Sequence, residues 1–208
     1  ERRQKLAETM PGSALVIAAP LETTRNGSVQ NSFRQDSSLY YLTGFEEPES
    51  VFLFRPGQNP ESVLFVRKKN KEREIWDGFR YGPEAAQEIF QIDKVYPIEE
   101  LESQIPPLLK GVEKLYYRMY KNLKMDLRLA NILEAARASQ GRTGYGLLPV
   151  YDADELIGEM RVIKTDSEIN NLKKACELSA EAHLDLMHYI RPEMAERELH
   201  GYFIYQIL

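Results

Sequence analysis

The sequence predicts an α/β fold, in which a mixed β-sheet is flanked by helices. One observation is the run ALVIAA at Ala14–Ala19, which is continuously apolar, as in strands buried on both faces. A second is the pair of short apolar runs Val51–Phe54 and Val63–Val66, which turn residues separate. A third is the helical periodicity that returns from Pro83 onward. Strands and helices that alternate in this way form layers of helices on a sheet.

The first half of the chain supplies most of the predicted strands. A helix at Arg2–Met10 precedes the first strand, and the mostly polar stretch Leu21–Ser32 should cross the surface with an Asn-Gly turn. Because a Pro-Gly loop joins two of the later runs, these are expected to form a hairpin. After the first strand we predict strands at Leu39–Leu42, Val51–Phe54, Val63–Val66 and Lys114–Arg118.

The stretch FRQDSSLYYLTGFEEPES, Phe33–Ser50, combines a charged start, an aromatic run and a Thr-Gly break. We expect Arg34–Asp36 to cap and pin the loop that enters the strand at Leu39–Leu42. Thr43–Gly44 would then permit a turn that a Cβ atom would obstruct. The acidic residues around Pro48 are interpreted as a turn. The stretch is therefore predicted to be scaffolding and not a reacting centre.

A domain boundary is predicted between Gly141 and Gly158, where glycines and acidic residues concentrate. Only helical patterns follow it, beginning with a capping box in which Thr165 is the N-cap and Glu168 lies three residues on. The predicted division is 1–157 and 158–208. Before the boundary, helices are predicted at Pro83–Phe90, Ile98–Leu109 and Leu123–Ser139.

Composition limits the possible partners and the compartment. The net charge of −5 provides no basic field, which disfavours nucleic acid and favours a small polar ligand. The single cysteine, Cys176, cannot form an internal disulfide, and no apolar run of about 18 residues suggests a membrane span. We therefore expect a cytoplasmic protein that binds neither membranes nor nucleic acid. Because Phe203–Leu208 is apolar and the first residue is Glu1, we also expect this chain to be a fragment of a longer protein.

Residue chemistry alone does not reveal an active site. Asp185 with His188, and Glu196 with His200, have helical spacing, but such pairs usually form a solvated face and we assign no metal to them. His183 falls on the apolar stripe of its helix and is predicted to be a hydrogen-bonded core histidine. Cys176 falls on the same stripe and is predicted to be inert packing. No nucleophile or phosphate-binding motif is present in the sequence.

Several segments resemble the aminopeptidase P family, the Xaa-Pro aminopeptidases, in order and spacing. The motif FRQDSSLYYLTGFEEPESVFLF resembles a segment of its N-terminal domain, as do PGSALVIAAP and EIWDGFRYG. The segment GEMRVIKTDSEINNLKKACELSAEAH is similar to the linker and opening helix of the pita-bread catalytic domain, and IRPEMAERELH to its next turn and helix. The resemblance implies an aminopeptidase P N-terminal domain at 1–157. It also implies that residues 158–208 form the opening helices of a truncated α+β pita-bread domain.

The resemblance also implies a reaction, which is the removal of an N-terminal residue that precedes proline. In the family, two Mn²⁺ or similar ions are held by two Asp, one His and two Glu of the later catalytic domain. We therefore expect no catalytic residue and no metal ligand in this chain, whose partners would be peptides with proline at the second position. Taken alone, the chain should be inactive.

Two residues can be carried over from the family as substrate-binding candidates. Trp76 matches a tryptophan that reaches into a neighbouring subunit's active site, which implies a homodimer or homotetramer; the alternative is ordinary sheet packing. Arg142 lies one position from the family's linker arginine, and the alternative for it is a solvated linker charge. Alternatives for the whole protein are a prolidase or creatinase-like hydrolase, or a non-enzymatic pita-bread relative that acts as a binding module.

Overall fold

The computed structural model of the chain describes residues 1–27, 29–139 and 148–208. These residues fall into two compact units, Glu1–Met160 and Arg161–Leu208. The strands of the first unit are β1 Ser13–Ala18, β2 Thr24–Asn26, β3 Val29–Gln30, β4 Val51–Phe54, β5 Ser62–Val66, β6 Lys94–Pro97, β7 Lys114–Tyr116 and β8 Val150–Tyr151. Its helices are α1 Arg2–Thr9, α2 Ser37–Thr43, α3 Lys71–Asp77, α4 Gly82–Ile89, α5 Leu101–Leu108, α6 Leu123–Ser139 and α7 Ala153–Val162, the last of which ends just past the boundary.

The central sheet has the strand order β6-β5-β4-β1-β7-β8 within the described residues. Strand β1 pairs in parallel with β7, β7 with β8, and β5 with β6. Strand β4 is antiparallel to both of its neighbours, β1 and β5. The sheet is therefore mixed, as predicted, and all of its strands except β4 run in one direction.

Each central strand sends alternate side chains into two hydrophobic clusters on opposite faces of the sheet, as the period of two requires. On one face, Leu15, Phe52 and Leu64 pack with residues of α1, α2, α4 and α7. On the other, Val16 and Phe65 pack with residues of α5 and α6. Because both faces are covered by helices, the strands are apolar throughout, which explains the continuous runs in the sequence.

The segment Leu39–Leu42 was predicted to be a strand, and this prediction was wrong, because it lies in helix α2. The Asp36 side chain caps the helix by accepting hydrogen bonds from the backbone N–H groups of Ser38 and Leu39, at 2.9 and 3.0 Å. Gly44 ends the helix with φ of 73° and donates its N–H to Tyr40. A four-residue apolar run fits a buried strand and a short helix equally well, so the caps decide between them.

Most other predicted elements of the first unit agree with the structure to within one or two residues. Helix α5 begins three residues later than predicted, because Ile98–Glu100 forms a 3₁₀ turn. Elements β6, β8, α3 and α7 were not predicted, and neither was the exposed hairpin of β2 and β3 in the polar stretch after β1. Two- and three-residue strands with exposed side chains carry no hydrophobic pattern, so periodicity cannot reveal them. The hairpin of β4 and β5 is confirmed.

The second unit contains two helices, α8 Asp166–Tyr189 and α9 Glu196–Ile207. The predicted capping box is confirmed, since Glu168 N–H donates to Thr165 Oγ1 and Thr165 N–H donates to Glu168 Oε2, at 3.3 and 2.8 Å. His183 lies 4.7 Å from the Phe203 ring, centroid to centroid. Its ring Nδ1 lies within hydrogen-bond distance of the Ser179 carbonyl oxygen, at 2.7 Å.

Two packing predictions for this unit are wrong, because His183 and Cys176 are both exposed. Of the α8 residues only Ala182 is buried. An amphipathic stripe predicts which face of a helix is apolar, but it does not show what covers that face. Within the described part of the chain, no helix is both long and apolar enough to cross a membrane.

Candidate functional site

Trp76 lies on helix α3, which leaves the sheet after β5. The Asn70 side chain caps this helix by accepting hydrogen bonds from the backbone N–H groups of Glu72 and Arg73, both at 3.1 Å. Gly78 ends it with φ of 84°, a conformation that favours glycine. None of the seven residues of the helix, all of which are described, is buried. The helix therefore gains little from the hydrophobic core.

Polar contacts join α3 to the segment that follows it, and that segment to the rest of the domain. Glu74 Oε1 accepts a hydrogen bond from the Arg80 backbone N–H at 2.9 Å, and the Arg80 guanidinium pairs with Asp77 at 2.7 Å. The following residue, Tyr81, donates its N–H to Glu47 Oε1 at 2.7 Å. Glu47 thus ties the segment that follows α3 to the loop before β4.

Glu47 is buried, with 8% of its surface exposed. Its second carboxylate oxygen lies 3.7 Å from a guanidinium nitrogen of Arg67, which is also buried. In addition, the Gln35 side chain donates to the Glu47 carbonyl oxygen at 2.8 Å. The acidic turn of the motif therefore serves as an anchor, a role that the sequence interpretation missed. No local sequence signal marked this role, because Arg67 and Tyr81 lie 20 and 34 residues away from Glu47 in the chain.

Aromatic rings form the support beneath this segment. Phe79 packs edge-on against Tyr81 with ring centroids 5.0 Å apart, and Tyr81 packs edge-on against Phe90 at 5.1 Å. Phe90 in turn contacts the fully buried Phe45 at 5.2 Å. The ring series runs from the core to the exposed segment, so it fixes where α3 emerges.

The outer face of the segment exposes three large apolar side chains. Ile75, Trp76 and Phe79 are 79%, 84% and 61% exposed. Trp76 is thus not packed in the sheet, which was the alternative considered for it. Three large apolar side chains exposed within five residues make this segment a candidate contact surface.

The other sequence candidates do not assemble into a site. Arg142 lies outside the described residues. The pairs Asp185 with His188 and Glu196 with His200 gain no third partner, since among the residues that the structure describes no group of three or more His, Cys, Asp or Glu side chains could hold a metal ion.

The fold is an α/β domain, and its helix α3 presents the exposed Trp76 at the surface. A family model described as "Aminopeptidase P, N-terminal domain" matches residues 1–116, which is more than half of the chain. The chain belongs to the aminopeptidase P family. The resemblance inferred from the sequence is thereby confirmed.

Curated relatives agree with this assignment. The Xaa-Pro aminopeptidase of Escherichia coli is 35% identical over 203 residues, covering 96% of this chain and 46% of that protein. Xaa-Pro aminopeptidase 3 of Dictyostelium discoideum is 34% identical over 91% of this chain and 35% of its own length. The chain therefore spans half or less of the length of the curated relatives it matches.

Solved structures share the fold. Aminopeptidase PepP of Pseudomonas aeruginosa superposes with a TM-score of 0.92 at 34% identity, over 99% of this chain and 47% of that one. A zinc-substituted aminopeptidase P of E. coli in complex with product gives a TM-score of 0.90 at 34% identity and the same coverage. These matches agree with an N-terminal domain followed by the start of the next one.

Proposed function

We propose that the protein containing this chain is a metal-dependent Xaa-Pro aminopeptidase, which removes an N-terminal residue that precedes proline. The observation that carries this proposal is the match of 96% of the chain to the E. coli Xaa-Pro aminopeptidase at 35% identity. Its substrates are peptides with proline at the second position.

The role proposed for this chain is to shape the substrate site of a neighbouring subunit. Trp76 would pack against the N-terminal side chain or the proline ring, since an indole ring combines a large apolar face with a polar N–H. Its 84% exposure and the polar contacts that fix α3 support this role. Because the role requires a second copy, the proposal includes a homodimer or homotetramer. Arg142 remains a second substrate-binding candidate.

The described residues contain no group of three or more metal-ligating side chains, so they do not fit a metal centre. The proposed metal centre therefore lies outside them. We place its two ions, Mn²⁺ or similar, in the part of the protein beyond Leu208. The zinc-substituted aminopeptidase P among the matched structures supports metal dependence. Residues 1–208 by themselves are then expected to be inactive. A cytoplasmic location is proposed from the single cysteine.

The test is hydrolysis of an Xaa-Pro peptide by the full-length protein and by its Trp76→Ala variant. Loss of the indole contact should lower kcat/KM by about ten- to a hundredfold, because burying an aromatic side chain stabilises a complex by about 1.5–3 kcal/mol. Trp76→Phe should restore part of the activity. Leu127→Ala is the matched control, since Leu127 is also an exposed apolar side chain on a helix, at 70%.

Two results would contradict the proposal at different levels. If the full-length protein, supplied with Mn²⁺, releases no N-terminal residue from Xaa-Pro peptides, the proposed activity is wrong. If it does so and Trp76→Ala has unchanged kinetics, only the role of Trp76 is wrong.

A further inference from the structure

A cavity of about 240 Å³ lies within the first unit, at the carboxyl ends of the parallel strands β1 and β7. The loops that follow β1 and β7, the start of α2 and the start of α7 enclose it. In open α/β sheets, ligands bind in the crevice outside the carboxyl ends of the strands. The location is therefore the one where this class of sheet places a ligand.

The size of the cavity suits one small molecule. It exceeds the volume of about 150 Å³ that holds a benzene ring in an engineered cavity, and it is smaller than the pockets of about 300–1,000 Å³ that take larger ligands. Its apolar lining includes Ile17, Leu21 and Ile157. A short aliphatic group fits such a lining.

Two ion pairs border the cavity. Arg118 Nη1 lies 2.6 Å from Asp154 Oδ2, and both side chains are nearly half exposed, at 49% and 44%. Lys121 pairs with Asp36, whose other carboxylate oxygen accepts the two backbone hydrogen bonds that cap α2. The Asp36 carboxylate is thus occupied, whereas Arg118 and Asp154 are accessible to a ligand.

The tyrosine that lines the cavity contributes no charge. The Tyr117 hydroxyl donates a hydrogen bond to Asp126 at 2.7 Å. Burial, with the neighbouring Asp126 carboxylate, raises the pKa of Tyr117 above its ordinary value, so the phenol stays neutral. The accessible charged groups at the cavity are then one cation, Arg118, and one anion, Asp154, which favours a ligand that carries one charge of each sign.

We propose that this cavity binds a free α-amino acid with an aliphatic side chain. The ligand carboxylate would contact the Arg118 guanidinium, whose planar fork of five N–H donors exceeds the needs of one carboxylate oxygen. The ligand ammonium would contact Asp154, and the side chain would enter between Ile17, Leu21 and Ile157. The inference rests on the proposed function only for its physiological meaning, since an aminopeptidase releases such amino acids as products.

The experiment is a calorimetric titration of the full-length protein with leucine, performed with a metal chelator present. Arg118→Met should raise the Kd for leucine about tenfold or more, because a charge-assisted contact to the ligand is lost. Arg137→Met is the matched control, since Arg137 is 55% exposed and also pairs with a carboxylate, that of Glu134 at 3.7 Å. It should leave the Kd unchanged.

Two leucine analogues separate the charges of the ligand. Leucinamide lacks the carboxylate and N-acetylleucine lacks the ammonium, and each should bind about tenfold more weakly than leucine. The inference is overturned if leucine shows no saturable binding at millimolar concentration, if Arg118→Met binds it as well as the unmodified protein, or if both analogues bind as tightly as leucine. Xaa-Pro hydrolysis without leucine binding overturns this inference alone, and leucine binding without hydrolysis overturns only the proposed function.

Discussion

Asp36 shows how one side chain of the sequence motif determines local structure. One carboxylate oxygen caps α2, and the other pairs with Lys121, a residue 85 positions away in the sequence. The capping role was predictable from the residue type, because aspartate is among the preferred N-cap residues. The pairing with Lys121 was not, since nothing local in the sequence brings these residues together.

Replacing Asp36 should separate its two roles. Asp36→Ala removes the cap and leaves Lys121 without its partner, so the free energy of unfolding should fall by about 2 kcal/mol. Asp36→Asn keeps a capping oxygen and should cost about half as much or less, because Lys121 is 43% exposed and its ion pair contributes little. Urea denaturation of both variants measures the difference. Equal losses in the two variants would show that the cap is not the main contribution.

Asp36 also predicts a dependence of stability on pH. Burial acts to raise the pKa of Asp36, but hydrogen bonds from Lys121 and from the backbone of Leu39 and Ser38 outweigh it, so the pKa lies below its ordinary value. The unfolded chain, with a carboxyl pKa of about 3.9, then takes up the proton first as the pH falls. Stability from this group is present above that value and is lost as the pH falls through the lower pKa of the folded state.

The pH prediction is tested with the asparagine variant. Below about pH 4, the free energy of unfolding should fall less steeply with pH in Asp36→Asn than in the unmodified protein, because the variant lacks this titrating group. Other carboxylates with lowered pKa values, such as Asp93, contribute equally to both proteins. Identical slopes would mean that Asp36 has the same pKa in the folded and unfolded states.

At the scale of elements, α3 is unusual because its attachment is polar. The buried Glu47 binds the Tyr81 N–H and lies beside the Arg67 guanidinium, whereas α3 itself buries nothing. If α3 presents Trp76 to a partner, as proposed, it cannot rely on its own apolar side chains for attachment, because these would face the partner. The buried hydrogen bond between Glu47 and the Tyr81 N–H holds the segment after the helix in place instead.

Glu47→Ala should therefore loosen the α3 segment. The change leaves the Arg67 charge buried beside no anion and the Tyr81 N–H without its acceptor, so we expect a loss of stability of about 2–3 kcal/mol. Trp76 is the single tryptophan of the chain, so its fluorescence anisotropy reports directly on α3 and should decrease. Protease cleavage between residues 67 and 81 should accelerate.

Glu46→Ala is the matched control for this prediction. Glu46 is the neighbouring glutamate and is exposed, so its removal should change neither the anisotropy of Trp76 nor the rate of cleavage. If Glu47→Ala also leaves both unchanged, then the ring contacts of Phe79 and Tyr81 are sufficient to hold the segment.

Sequence patterns identified long helices with a regular apolar stripe, such as α6 and α8, but missed the shorter α7, although it buries three residues. Helix α6 was predicted with its observed bounds, because a long buried stripe marks it. Helix α3 was missed, because its residues are exposed and charged. The identity of Trp76 as a candidate came from a family resemblance, whereas its anchor Glu47 is visible only in three dimensions, since it contacts residues 20 and 34 positions away.

At the scale of the whole molecule, the strand order could not be derived from the sequence. Strand β1 lies between β4 and β7, which are far from it in the sequence, and neither pairing has a local signal. The hairpin of β4 and β5 was predictable, because a short loop forces its strands together. The cavity beside β1 and β7 follows from the same non-local pairing, which is why no sequence motif indicated it.

Both hydrophobic clusters lie entirely within Glu1–Met160, so the first unit contains its own core. A chain that ends after Ile163, the residue that follows α7, should fold without α8 and α9. We expect its sheet to unfold cooperatively, with a free energy of unfolding within about 1 kcal/mol of that of the same sheet in the 208-residue chain. Amide hydrogen exchange in β1, β4 and β5 measures this stability strand by strand. A general loss of protection in these strands would mean that the second unit is needed to complete the fold of the first.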